Sequence, residues 1–171
     1  MKKAILLSII VVFAMSNVNA QNFGVKAGLD LASAKVKAGG VSANSSETGF
    51  YIGGFTTIEI SESFSFQPEA LFVSINDGSM IQIPLMVLIP LSAEFNVLAG
   101  PSLGLMLDAG DGMKSFNYGL EAGVAYDVSE EFFIEARYNI GLADLAEDNG
   151  FFGSDYSYKM GGFFIGAGYR F

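Results

Sequence analysis

Residues 132–142 read Phe-Phe-Ile-Glu-Ala-Arg-Tyr-Asn-Ile-Gly-Leu. In an extended chain Ile134, Ala136, Tyr138, Ile140 and Leu142 lie on one side, and Glu135, Arg137, Asn139 and Gly141 on the other. One face is apolar and the other is polar or glycine. The same alternation sets Phe23, Val25, Ala27, Leu29 and Leu31 against Gly24, Lys26, Gly28 and Asp30. It recurs in Phe163, Ile165, Ala167, Tyr169 and Phe171 against Gly162, Phe164, Gly166, Gly168 and Arg170. A slip of one residue would exchange the faces, so the pattern fixes which side chains each strand sets together on one face.

Just before Phe132, the segment Val128-Ser129-Glu130-Glu131-Phe132 has two counterparts, Ile60-Ser61-Glu62-Ser63-Phe64 and Leu91-Ser92-Ala93-Glu94-Phe95. Each sets small or acidic residues between an aliphatic residue and a Phe, as in a tight hairpin turn. Spacings of 31 and 37 residues leave room in each interval for two strands and one longer connection. Polar or Gly-rich stretches at 34–48, 74–80, 108–115 and 143–157 supply those connections. Eight strands are predicted, at 23–33, 49–60, 64–73, 81–90, 95–107, 116–127, 132–142 and 158–171. An all-β, eight-stranded, antiparallel up-and-down transmembrane barrel satisfies this plan.

The N-terminal segment differs in kind. Lys2 and Lys3 precede an apolar run at 4–15, and Val18-Asn19-Ala20 closes with a small residue, which is the pattern of a cleaved secretory signal peptide. The chain is thus divided into a signal peptide, 1–20, and a barrel domain, 21–171. Removing 20 of 171 residues leaves 151, enough for one domain. Without Lys2 and Lys3, 7 basic residues face 18 acidic ones, a net charge of −11 that disfavours nucleic acid.

The chain has no His and no Cys, which removes imidazole bases, thiol nucleophiles, disulfides and the usual zinc ligands. Asp108-Ala109-Gly110-Asp111-Gly112 and Glu147-Asp148-Asn149-Gly150 lack the terminal Glu of a calcium loop and read as acidic turns. No catalytic residue, metal site or cofactor is expected, and the chain is not expected to be an enzyme.

An exported soluble barrel with its apolar face turned inward is the rival architecture. Against it, only 16% of residues are charged, the polar face is rich in Gly, and aromatics gather near strand ends as at Phe50-Tyr51, Phe132-Phe133 and Tyr169 to Phe171, where interfacial girdles lie.

The closing segment Phe164-Ile165-Gly166-Ala167-Gly168-Tyr169-Arg170-Phe171 resembles the last strand of bacterial outer-membrane barrels. Phe66-Gln67-Pro68-Glu69-Ala70-Leu71, Ile81-Gln82-Ile83-Pro84-Leu85, Ala99-Gly100-Pro101-Ser102-Leu103-Gly104 and Glu135–Leu142 together resemble the porin-family, PorT-like outer-membrane barrel domain common in Bacteroidota. Met86, Val87 and Leu88 depart from it, since members usually carry a basic residue there. The resemblance implies residence in the outer membrane with lipid as solvent. It also implies recognition of Tyr169 and Phe171 by the barrel-assembly machinery as an assembly signal. A monomer is expected, with an unidentified partner at the cell surface.

Eight strands enclose a lumen only wide enough for side chains. Counting up from the short turns sets Lys26, Glu69 and Arg137 at similar depth, with Glu121 slightly above and Glu135 slightly below. These five are expected to form a structural ion network, while inward glycines make room for Tyr51, Phe55, Arg137 and Phe164. The leading functional expectation is a structural or adhesive surface role with a filled lumen. A channel for small, including hydrophobic, solutes past Met86, Leu88, Leu98 and Met106 is the alternative, and an exported soluble binding barrel is the third.

Overall fold

The computed structural model describes residues 21–38, 41–76, 78–110, 112–146 and 157–171, so the signal-peptide segment 1–20 lies outside the described residues. The described chain forms eight strands: β1 Gln21–Ala38, β2 Val41–Ser61, β3 Phe64–Ile75, β4 Gly78–Pro90, β5 Phe95–Met106, β6 Phe116–Asp127, β7 Phe132–Gly141 and β8 Ser157–Arg170. Each pairs antiparallel with its neighbours in sequence, and β8 pairs with β1 to close the barrel.

The alternation in sequence is a separation of environments. Inward positions are buried, among them Lys26, Tyr51, Phe55, Glu69, Leu71, Met86, Leu98, Glu121, Arg137 and Phe164. Outward positions such as Val25, Leu29, Ile52, Leu120, Ile134, Ile140 and Ile165 are about half exposed. An apolar belt of this extent is unstable against water and suits the hydrocarbon of a bilayer.

Two departures from the sequence reading have physical causes. Of residues 34–48, expected to be a connection, 34–38 and 41–48 continue β1 and β2, paired as far as Ala38↔Val41. Ala43–Thr48 are exposed on both faces, so no apolar side is present to mark the strand in sequence. Phe133, grouped above with the girdle, points into the lumen at 2% exposure, beside the inward rings for which glycines were expected to make room. The girdle at the turn end is built instead from outward rings, with Phe132 to Tyr169 at 4.9 Å, Tyr169 to Phe171 at 5.2 Å and Phe95 to Tyr126 at 5.3 Å between centroids.

Glycine makes the filled lumen sterically feasible. A Cβ on Gly28 would meet Tyr51 Cε1 at 2.7 Å, and one on Gly123 would meet Cγ and Cα of Arg137 at 2.6 and 2.7 Å. Arg137 sits directly across the ladder from Gly123, so the missing side chain is the space through which the arginine enters the lumen. Gly123→Ala is therefore expected to destabilise the barrel by about 1–3 kcal/mol through overpacking. Gly110→Ala, with nothing within 4 Å, should change stability by less than about 0.5 kcal/mol. Denaturant unfolding of the refolded protein measures both.

Candidate functional site

The centre of the lumen holds Lys26 of β1, Glu69 of β3, Glu121 of β6, and Glu135 and Arg137 of β7, all with exposure of 3% or less. The five side chains form one cluster. Lys26 Nζ donates to Glu69 Oε1 at 2.8 Å and to Glu135 Oε1 and Oε2 at 3.1 and 3.0 Å. Arg137 Nη1 donates to Glu69 Oε2 at 3.0 Å and pairs with Glu121 Oε1 at 2.8 Å, while Nη2 lies 3.2 Å from Glu135 Oε1. Glu69 thus bridges the two bases through its two oxygens, and so does Glu135.

Neutral side chains add to the shell. Gln67 Nε2 donates to Glu69 Oε1 at 2.8 Å, and Tyr51 OH donates to Glu135 Oε1 at 3.1 Å. Glu121 Oε2 accepts from Gln82 Nε2 at 2.9 Å and from Asn139 Nδ2 at 3.2 Å. Gln67 and Gln82 were not singled out from the sequence, although both fall at inward positions of strands whose parity was readable. Lys26 Nζ also lies 5.3 Å from the centroid of Phe55, and the Arg137 guanidinium lies 5.8 Å from that of Phe164, within cation–π range.

Apolar layers seal the cluster on both sides. Towards the short turns, Phe55, Met86, Leu88, Leu98, Ala125 and Phe133 form one buried group, with Phe55 and Phe133 edge to face at 5.5 Å. Towards the loops, Tyr51, Leu71, Val73 and Phe164 form another, flanked by Ile75 and Met80. The apolar residues considered as a solute path are therefore close-packed at Met86, Leu88 and Leu98, while Met106 is only half-buried at the mouth.

At the loop end, hydrogen bonds tie Asp144 and Leu145 to Lys114, Ala146 and Tyr158. Leu145, fully buried, donates from its N–H to Tyr158 O at 2.8 Å and accepts from Lys114 N at 2.9 Å. Asp144 Oδ1 accepts from the N–H groups of Tyr158 at 3.0 Å and Ala146 at 3.2 Å. Its slight burial raises the pKa, but hydrogen bonds from Ser157, Tyr158 and Ala146 and the charge of Lys114 outweigh that and hold it below the ordinary range. A depressed pKa stabilises the folded loop at neutral pH, and that contribution is lost as pH falls through the folded value.

Among the described residues no three His, Cys, Asp or Glu side chains are grouped as a metal cage requires. The cluster sets three carboxylates against two bases, and its five members lie out of reach of solvent.

A closed eight-stranded barrel with an apolar exterior and an ion-paired lumen defines an integral membrane protein of the outer-membrane type. The chain belongs to the outer membrane protein beta-barrel domain family, whose pattern matches residues 4–171. Its fold is similar to that of Ail, the attachment invasion locus protein of Yersinia pestis, with 18% identity over 89% of this chain and 99% of that one and a TM-score of 0.52. It is also similar to neisserial surface protein A, with 20% identity over 87% and 97% and a TM-score of 0.52. A de novo designed transmembrane barrel matches with 10% identity over 90% and 98% and a TM-score of 0.53. No curated protein matches the chain in sequence.

Removing Arg137 would leave three glutamates facing Lys26 alone. Arg137→Met is expected to cost roughly 3–5 kcal/mol, as for other buried pairs that lose one partner. Adding Glu121→Gln should recover part of the loss, so the double mutant should be more stable than the sum of the two single effects. Simple additivity in a denaturant-unfolding cycle would show that the 2.8 Å ion pair carries no coupling energy.

Proposed function

We propose that this protein is a monomeric, non-enzymatic surface-interaction protein of the outer membrane, exported by a cleaved leader at 1–20, in which the barrel anchors and the loop end binds. The finer kinship, with PorT-like barrels of Bacteroidota, rests on the motifs in the sequence. The observation that carries the surface reading is the β1–β2 hairpin. Pairing of β2 with β3 begins at Phe50↔Ser74, whereas pairing with β1 runs on to Ala38↔Val41. Val41–Gly49 therefore project beyond the β2–β3 ladder by roughly 30 Å along the strand. Their backbone groups on the side away from β1 meet no other strand among the described residues. Such an edge can accept an extended segment of a partner by strand addition.

Charge narrows the partner. Segments 34–48, 76–80, 107–115 and 142–159 carry eight acidic residues against four lysines. A neutral or basic protein segment fits this end better than a polyanion. Ail has been solved with the heparin analogue sucrose octasulfate, a ligand of opposite character to the one favoured here. Transport is disfavoured by the packed apolar layers on both sides of the ion cluster among the described residues.

Proteoliposomes should pass small polar and hydrophobic solutes no faster than protein-free vesicles. Cells displaying the protein should adhere to protein-coated surfaces above a vector control. Replacing residues 35–46 by a two-residue turn should abolish adhesion while the barrel still folds, as shown by altered electrophoretic migration before heating. Solute flux well above the control, or adhesion unaffected by the truncation, would overturn this reading.

Assembly is proposed to depend on Tyr169 and Phe171, read by the barrel-assembly machinery. Both rings belong to the outward girdle, and Phe171 N–H donates to Phe23 O at 2.8 Å across the closing seam. Deleting Phe171 should lower the folded yield in cells while leaving detergent refolding of the purified chain largely unchanged. Equal loss in both settings would indicate a structural role in place of a recognition signal.

A further inference from the structure

On the loop side of the ion cluster is a cavity of about 20 Å³, lined in part by Asp30 of β1, Gln82 of β4, Ser102 of β5, Asn117 of β6 and Asn139 of β7. That is the room a single water-sized occupant needs. Two acceptors of the lining have no donor. Asp30 is 2% exposed and Asn117 8%, yet Oδ1 of each accepts no hydrogen bond from any described residue. The amide donors of Gln82 and Asn139 are committed elsewhere. Gln82 Nε2 donates to Ser102 Oγ and Glu121 Oε2, both at 2.9 Å, and Asn139 Nδ2 donates to Glu121 Oε2 at 3.2 Å.

The charge balance is also incomplete. In the ion cluster two bases face three glutamates, and both bases are engaged by those glutamates. Asp30 forms no ion pair among the described residues and adds a second uncompensated negative charge. A buried carboxylate without a counter-charge is costly. A water in the cavity could donate to both bare oxygens but would leave the charge in place. A cation of similar size satisfies the oxygens and neutralises the carboxylate together.

We propose that this cavity binds one monovalent metal cation of the sodium class, with the Asp30 carboxylate as its charged ligand and Asn117 Oδ1 as a neutral one. The donor set is all oxygen, as a hard cation requires. One carboxylate among neutral oxygens is too little charge for a calcium cage, which gathers six to eight oxygens, several of them anionic. Ala32, Ile75, Met80 and Phe164 supply apolar wall around the same cavity, which limits competition from bulk water. The site is separate from the surface function proposed above and does not depend on it.

A ligand bound only by the folded state raises stability along a saturating curve. The full chain, refolded in an uncharged detergent at pH 8, should show an unfolding temperature that rises with sodium chloride and saturates. At matched ionic strength N-methyl-D-glucamine chloride should have no such effect. Asp30→Asn should flatten the sodium response, whereas Asp108→Asn, at the exposed mouth, should retain it. Equal unfolding temperatures in the two salts, or a sodium response that survives Asp30→Asn, would overturn the proposal. A salt-independent temperature that instead rises as pH falls would assign a proton to Asp30 and overturn it as well. Should Asp30→Asn fail to fold, Asn117→Ala is expected to raise the sodium midpoint roughly tenfold, equivalent to about 1.4 kcal/mol of binding free energy. An unmoved midpoint in that variant would count equally against the site.

Discussion

Everything in this molecule is arranged around the guanidinium of Arg137, which is held at 0% exposure against three carboxylates. A buried cation of this kind is tolerable only when its neighbours neutralise it and are themselves held in place. Three strands are committed by that requirement. Glu69 comes from β3, Glu121 from β6, and Glu135 from β7 itself. Lys26 draws in β1 by bridging Glu69 and Glu135. The cluster links strands that are not adjacent in the barrel, which backbone ladders cannot do, and so fixes the cross-section as well as the pairing.

Lipid explains why the charges sit inside. A water-soluble barrel would place its apolar residues in the core and its ions on the surface. Here the hydrocarbon takes the outward Val, Leu, Ile and Phe, and polar residues have only the lumen in which to pair. Glycine is the necessary complement. Gly123 opposite Arg137, and Gly28 and Gly166 beside Tyr51, are inward positions where even a methyl group would collide with a large neighbour. Volume given up at glycine is filled by arginine and aromatic rings, and the sheet closes around a solid interior.

Most of the architecture could be read from parity and turns. Residues 132–142 place Glu135 and Arg137 on the face opposite Ile134 and Tyr138, and any closed sheet must turn one of those faces to the lumen. What parity cannot supply is the stagger between distant strands. Lys26 and Glu135 are 109 positions apart and meet only because β1 and β7 both flank β8. Gln67 and Gln82 were missed as partners for the same reason, since a neutral amide attracts notice only when a charge is known to lie beside it. The outer halves of β1 and β2 were invisible for a different one. Ala43–Thr48 face water on both sides, so their extended conformation is specified by hydrogen bonds to β1 and leaves no hydrophobic period to detect.

The outer hairpin therefore obeys different physics from the barrel that carries it. No core is buried between its faces at Ala43–Thr48, and the hairpin stays extended because β1 is anchored on its other side by β8 as far as Lys37↔Ser157. An unpaired edge of this kind would invite aggregation if it were apolar. Ser, Asn, Thr and Glu dominate it, and Asn76 Nδ2 donates to Glu47 Oε2 at 2.7 Å, tying the edge to the β3–β4 turn. Binding at this edge would have to rely on backbone hydrogen bonds and shape more than on hydrophobic burial, which favours reversible recognition of extended segments over a permanent interface. The rigid, ion-paired lumen and the adaptable edge are thus separate solutions within one sheet, and the transition between them falls near Gly49 and Phe50, where β2 gains its second neighbour.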